Sequence, residues 1–152
     1  MPRRNTVGVC VAVLLAAGSA SLAHDGATGV IKQRMDQMGT LKSAMKMIGD
    51  MLKADAEPKQ KTVSEAAALV QAASGAHLVA LFPEGSLMAP SEATAAVWQN
   101  RTEFEMLARR LEEAGGSLAQ SAEGTRQDVV GAFTALAETC KSCHEQFRLK
   151  SN

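Results

Sequence analysis

Near the end of the chain, in TCKSCHEQFR (Thr139–Arg148), two cysteines and a histidine stand together. Cys140, Cys143 and His144 are conspicuous in a chain that holds only 3 Cys and 3 His. C-x-x-C-H is the spacing at which c-type haem is attached. The spacing has a chemical reason. Two thiols three residues apart can add to the two vinyl groups on one side of a porphyrin. The adjacent imidazole then lies under the iron. Other uses of the triplet fit less well. Zinc takes four ligands as a rule, and the remaining histidines, His24 and His77, lack metal-pair spacing. A thioredoxin-like dithiol follows a strand in a βαβ setting, and this sequence offers none. A disulfide between Cys140 and Cys143 closes too short a loop to constrain much, and it leaves His144 without a purpose. It stands as the alternative to haem: a colourless, non-haem helical protein.

The rest of the chain must position that triplet. Its 152 residues suit one domain. Arg3 and Arg4, the apolar run Val7–Ala17 and the small-residue ending Ser21-Leu22-Ala23 read as a secretory signal peptide over residues 1–23. The apolar run is short for a membrane span, so no anchor is expected after cleavage. Residues 24–152 form the expected mature domain, destined for the periplasm. Without Arg3 and Arg4 it carries 14 basic and 16 acidic side chains, a net of −2. That balance does not suit nucleic acid. Cys10 leaves with the signal. The two remaining cysteines meet an oxidising compartment, where a disulfide, a metal site or a cofactor attachment is expected of them.

Ala, Met, Leu, Lys, Glu and Gln dominate the mature part, and no stretch alternates with a period of two. Four helical segments follow. The first, residues 28–54, carries a narrow stripe of Ile31, Met35, Met38, Leu41, Met45, Ile48 and Leu52. The second opens on Thr62-Val63-Ser64-Glu65, a capping-box pattern, and runs towards Leu81. Pro83, Gly85 and Pro90 mark the longest loop. The third starts after Ser91 as its cap and stops at Gly115-Gly116. The fourth, residues 125–150, carries Val129, Phe133, Leu136, Cys140, His144 and Phe147 on one side. Four such helices with modest loops predict an all-α, antiparallel up-down-up-down four-helix bundle. Met38 lies roughly 15 Å into the first helix, and His144 roughly 9 Å from the end of the last. An antiparallel pair can bring them to the same end of the bundle.

With its haem motif at the C-terminal end of a helical domain, the sequence resembles the cytochrome c-prime family (class II cytochromes c). The resemblance spans the mature chain and is carried by VIKQRMDQMGTLKSAMKMIG (Val30–Gly49), LFPEGS (Leu81–Ser86), AAVWQNRTEFE (Ala95–Glu105) and CKSCHEQFR (Cys140–Arg148). It implies one covalent haem c with its iron, thioethers at Cys140 and Cys143, and His144 as proximal ligand. It also implies a choice at the sixth position. In one branch the iron is five-coordinate and high-spin, and binds NO or CO. In the other a first-helix methionine ligates it. Alignment of VIKQRMDQM puts Met38 at the distal place, with Met35 one turn earlier as its rival. Methionine stripes also serve as flexible core filler.

The leading expectation is a periplasmic single-haem electron carrier of the low-spin branch, with His144 and Met38 as axial ligands of iron and unidentified redox proteins as partners. His/Met ligation raises the haem potential. The alternative is the gas-binding form. No paired carboxylates, nucleophile–base set or phosphate loop stands out, so no enzyme is expected. A homodimer through the first helix is compatible with its narrow seam. By family pattern, Arg34 sits near a haem propionate and Arg148 beside the proximal imidazole. Each is equally readable as a surface cation. His77, on an apolar face, is expected to be partly buried and hydrogen-bonded. Trp98 is expected to pack on the bundle or the haem edge.

Overall fold

The computed structural model describes residues 28–54 and 57–150. The expected signal peptide, its cleavage point and His24 lie outside the described residues. Among these described residues six helices form: α1 (Gly29–Lys53), α2 (Gln60–Ala72), α3 (Gly75–Ala80), α4 (Ala96–Gln99), α5 (Arg101–Ser121) and α6 (Arg126–Phe147). Among the described residues there is no strand, only an isolated antiparallel bridge between Ala93 and Arg148.

Four rods make the bundle: α1, α2 continued by α3, α5, and α6. Helix α1 packs chiefly on α2, α2 and α3 on α5, and α5 on α6; the closure of α6 on α1 is slighter. The core is a continuous apolar cluster that includes Leu41, Ile48, Val63, Val70, Leu118 and Leu136. Its residues recur at steps of three and four, so each rod buries one stripe. Helices α1 and α6 run antiparallel. A methyl on Gly49 would lie 3.8 Å from the Phe133 ring. Further along α1, the Leu52 carbonyl accepts from Arg126, which lies earlier on α6. The expected four-helix bundle is therefore the observed one.

Its details depart from sequence expectation in three places. Helix α2 starts at Gln60, so Thr62 sits inside its first turn and makes no cap bond. The same pattern does work on α6. There Thr125 and Asp128 form a reciprocal capping box, with Thr125 N–H donating to Asp128 Oδ2 at 2.7 Å. The second segment breaks at Ala73-Ser74. Buried Ser74 turns its hydroxyl back to the Val70 carbonyl at 2.6 Å, and Gly75 takes a φ of +58°, a left-handed conformation that favours glycine. Finally, Gly115-Gly116 is not a stop, because α5 runs on to Ser121. Gly115 instead lets α5 approach α2: a methyl there would come within 2.9 Å of Val70 Cγ1.

Candidate functional site

Cys140, Cys143 and His144 lie in the last two turns of α6. The spacing of three and four puts them on adjoining parts of one helical face. Both thiols are free, half-buried and packed against the core. Burial pushes both thiols up, Cys143 to about 11 with the neighbouring Cys140 adding to the shift. They are protonated at neutral pH. His144 as a whole residue is exposed, although it shares a side of α6 with buried Leu136 and Phe147. Partial burial of its ring, then the positive charge of Arg148, lowers its pKa, and Glu92 pulls the other way. The imidazole is neutral near pH 7, the form that ligates a metal.

Met38 comes from α1. It lies 11 residues before Gly49, and His144 lies 11 residues after Phe133, the partner of Gly49 across the α1/α6 contact. At about 1.5 Å per residue each is roughly 16 Å from that contact, in the same direction. The fold thus puts Met38 and His144 at the same end of the bundle. Met38 is half-buried and packs on the core; Met35 is also half-buried but is not among the side chains packed there.

Three sequence expectations fail here. Arg34 is neither a surface cation nor free to meet a propionate. It is 4% exposed. All five of its N–H groups go to one loop: Nε and Nη2 to the Leu81 carbonyl, Nη1 to the Ser86 carbonyl and Ser91 Oγ, and Nη2 also to Ser86 Oγ. Its Cζ lies over the Phe82 ring, 4.0 Å from the centroid. Burial lowers its pKa, but a guanidinium stays charged. Likewise Ser91 caps no helix; its hydroxyl accepts from Arg34 instead. His77 is exposed, because the break at Ser74 turns α3 away from the register of α2. Trp98 does pack as expected, its Nε1–H donating to the Phe82 carbonyl at 3.1 Å.

Glu92 was not legible as a site residue. It binds Arg148 through Nε at 2.6 Å and Nη2 at 2.5 Å. Around it the chain is pinned to the end of α6: Thr94 N–H donates to the Phe147 carbonyl and Leu149 N–H to the Glu92 carbonyl. Thr94 Oγ1 is buried here with no hydrogen-bond partner in the protein, a polar group of the kind that a bound partner satisfies. No three His, Cys, Asp or Glu side chains gather as a metal cluster among the described residues. What the site offers is a pair of tethering thiols, a neutral imidazole and a thioether at one end of a helical bundle. That donor set fits a covalently held haem.

Fold and donor set together define a c-type haem protein on a four-helix bundle, a class II cytochrome c. Comparison with known proteins agrees. The family model described as Cytochrome C' matches residues 29–148. A cytochrome c' of Rhodospirillum rubrum is 32% identical over 78% of this chain and 80% of its own, and one of Pararhodospirillum photometricum 39% identical over 70% and 91%. A cytochrome c-554 of Cereibacter sphaeroides is 27% identical over 80% and 93%. Among solved structures, the cytochrome c' of Rhodopseudomonas palustris superposes with a TM-score of 0.75 at 28% identity, over 83% of this chain and all of its own. Another, at 26% identity, 0.71, and 80% and 95% coverage, is a cytochrome c' with ligand-controlled dimer dissociation. The chain belongs to the cytochrome c' family, and with it goes one covalently attached haem c and its iron.

Proposed function

We propose that this chain is a periplasmic cytochrome c' whose distal iron position is open, so that it takes up NO or CO as well as single electrons. Cys140 and Cys143 are its attachment points and His144 its proximal ligand. Met38 lines the distal side without ligating. The haem supplies a one-electron iron couple and a coordination position; the chain supplies tether, imidazole and apolar cover. The observation that carries the open site is where the similarity falls. The relatives called cytochrome c' are 32% and 39% identical, and the family model described as Cytochrome C' matches residues 29–148. A neighbour whose dimer responds to a ligand supports the same reading. It also supports a homodimer here. Export rests on residues 1–23; no described helix is long and apolar enough to cross a membrane.

One observation favours the second reading, a low-spin electron carrier with Met38 on the iron: Met38 and His144 share one end of the bundle. Electron paramagnetic resonance of the ferric holoprotein separates the two. An open site gives a high-spin signal that Met38→Ala leaves high-spin. Methionine ligation gives a low-spin signal that Met38→Ala converts to high-spin.

A further inference from the structure

Two arginines reach the same loop from opposite sides of the haem end. Arg34 lies four residues before Met38 on α1, and Arg148 four residues after His144 at the end of α6. Each is therefore about one helical turn beyond a residue at the candidate haem site. Arg34 spends every N–H on Leu81, Ser86 and Ser91. Arg148 spends its charge on Glu92, the residue next to Ser91. Backbone bonds from Thr94 to Phe147 and from Leu149 to Glu92 complete the second grip. Under the loop, Phe82 stacks edge-on with Phe104 at 4.8 Å, and Phe104 with Phe147 at 5.3 Å. The guanidinium of Arg34 covers the other side of this aromatic chain.

From this we infer that residues 81–94 form a brace across the haem end, with Arg34 and Glu92 as positioning residues. The brace fixes the spacing between the turn of α1 that bears Met38 and the turn of α6 that bears His144. The direct α1/α6 contact is slight, so it cannot set that spacing alone. A buried, fully bonded arginine is a stiff anchor, because releasing it strands a charge. The consequence is coupling. Loosening the distal grip at Arg34 alters the proximal side, and loosening the proximal grip at Glu92 alters the distal side.

The inference rests on the open-site reading, and its test keeps the two apart. The holoprotein and its Arg34→Gln, Glu92→Gln and double variants are compared by two readouts. The iron–histidine stretch in resonance Raman of the ferrous protein reports the proximal side. The CO association rate reports the distal side. A brace predicts that each single variant moves both readouts, with CO association changed about twofold or more. It also predicts that the double variant departs from the product of the singles, as coupled sites do. Effects confined to the variant's own side, multiplying independently, overturn the brace. Where Arg34→Gln does not fold, Ser91→Ala removes one 2.7 Å acceptor of Arg34 and carries the same test. If the wild-type protein takes up no CO, the open-site reading fails by itself. The iron–histidine stretch is then silent as well, and the midpoint potential, which both axial sides influence, serves as the readout in place of both, with the same criterion of non-additivity.

Discussion

Helices α2 and α5 meet closely: Gly115 brings α5 against the Val70 side chain, and Val63, Val70 and Leu118 are at most 1% exposed. Helices α1 and α6 meet slightly, and the side chains they bring are adaptable or reactive: Met38, Cys140 and Cys143, all half-buried. One side of the bundle is filled by its own residues. The other carries the groups proposed to hold the haem. Helices α1 and α6 bury core residues too, Ile48 and Leu136 among them, but the candidate chemistry lies on their side alone, so substitutions on the two sides are expected to fail in different ways.

The largest effect belongs to the α1/α6 side. Replacing both Cys140 and Cys143 by alanine should abolish covalent haem, read as loss of the haem mass from the denatured protein. Covalent haem surviving both substitutions would remove the tether from these residues. The matching change on the tight side, Leu118→Ala, should cost about 2–5 kcal/mol in stability yet leave haem covalently attached. A haemless but fully stable Leu118→Ala protein would break the division between the sides.

A sharper and smaller contrast uses two glycines. Gly115→Ala puts a methyl against Val70 and the Gln71 backbone. Overpacking should cost about 1–3 kcal/mol, more than the helix-propensity gain of about 1 kcal/mol. Gly131→Ala on α6 meets nothing within 4 Å, so only the gain remains, up to about 1 kcal/mol. Chemical denaturation of the holoproteins should show opposite signs. The same sign at both positions would mean that the α2/α5 approach is not limiting.

The smallest effect is at the start of α6. Thr125→Ala should cost about 0.5–2 kcal/mol. The Thr125 hydroxyl, then its backbone N–H, holds the Asp128 carboxyl below its ordinary value of 3.8. A depressed carboxyl contributes stability above its unfolded pKa and loses it as pH falls through the folded one. The penalty of Thr125→Ala should therefore shrink below about pH 4. A penalty independent of pH would mean that the hydroxyl caps without Asp128.

Much of this division could be read from residue order. The C-x-x-C-H triplet pointed to haem by spacing alone, and the family match carries one covalent haem c. The stripes of α1 and α6 announced rods of the right length. What escaped was whatever depended on partners far along the chain. Thr62-Glu65 and Thr125-Asp128 carry the same local signal, but only the second is a cap, since α2 begins two residues before Thr62. Gly115 read as a stop because its function lies in Val70, 45 residues away. Arg34 read as a surface or propionate cation because its acceptors lie 47 to 57 residues downstream. A polar residue on an apolar stripe was the available signal, as only a buried arginine with many acceptors can sit there. Glu92 had no local signal beyond being an acid between Ser91 and Ala93.

The most direct test of the central claim is the optical spectrum of the ferrous, exported holoprotein before and after CO. An open distal position gives a high-spin spectrum that shifts on adding CO. A low-spin spectrum indifferent to CO, becoming responsive in Met38→Ala, would contradict the open site and make Met38 the sixth ligand.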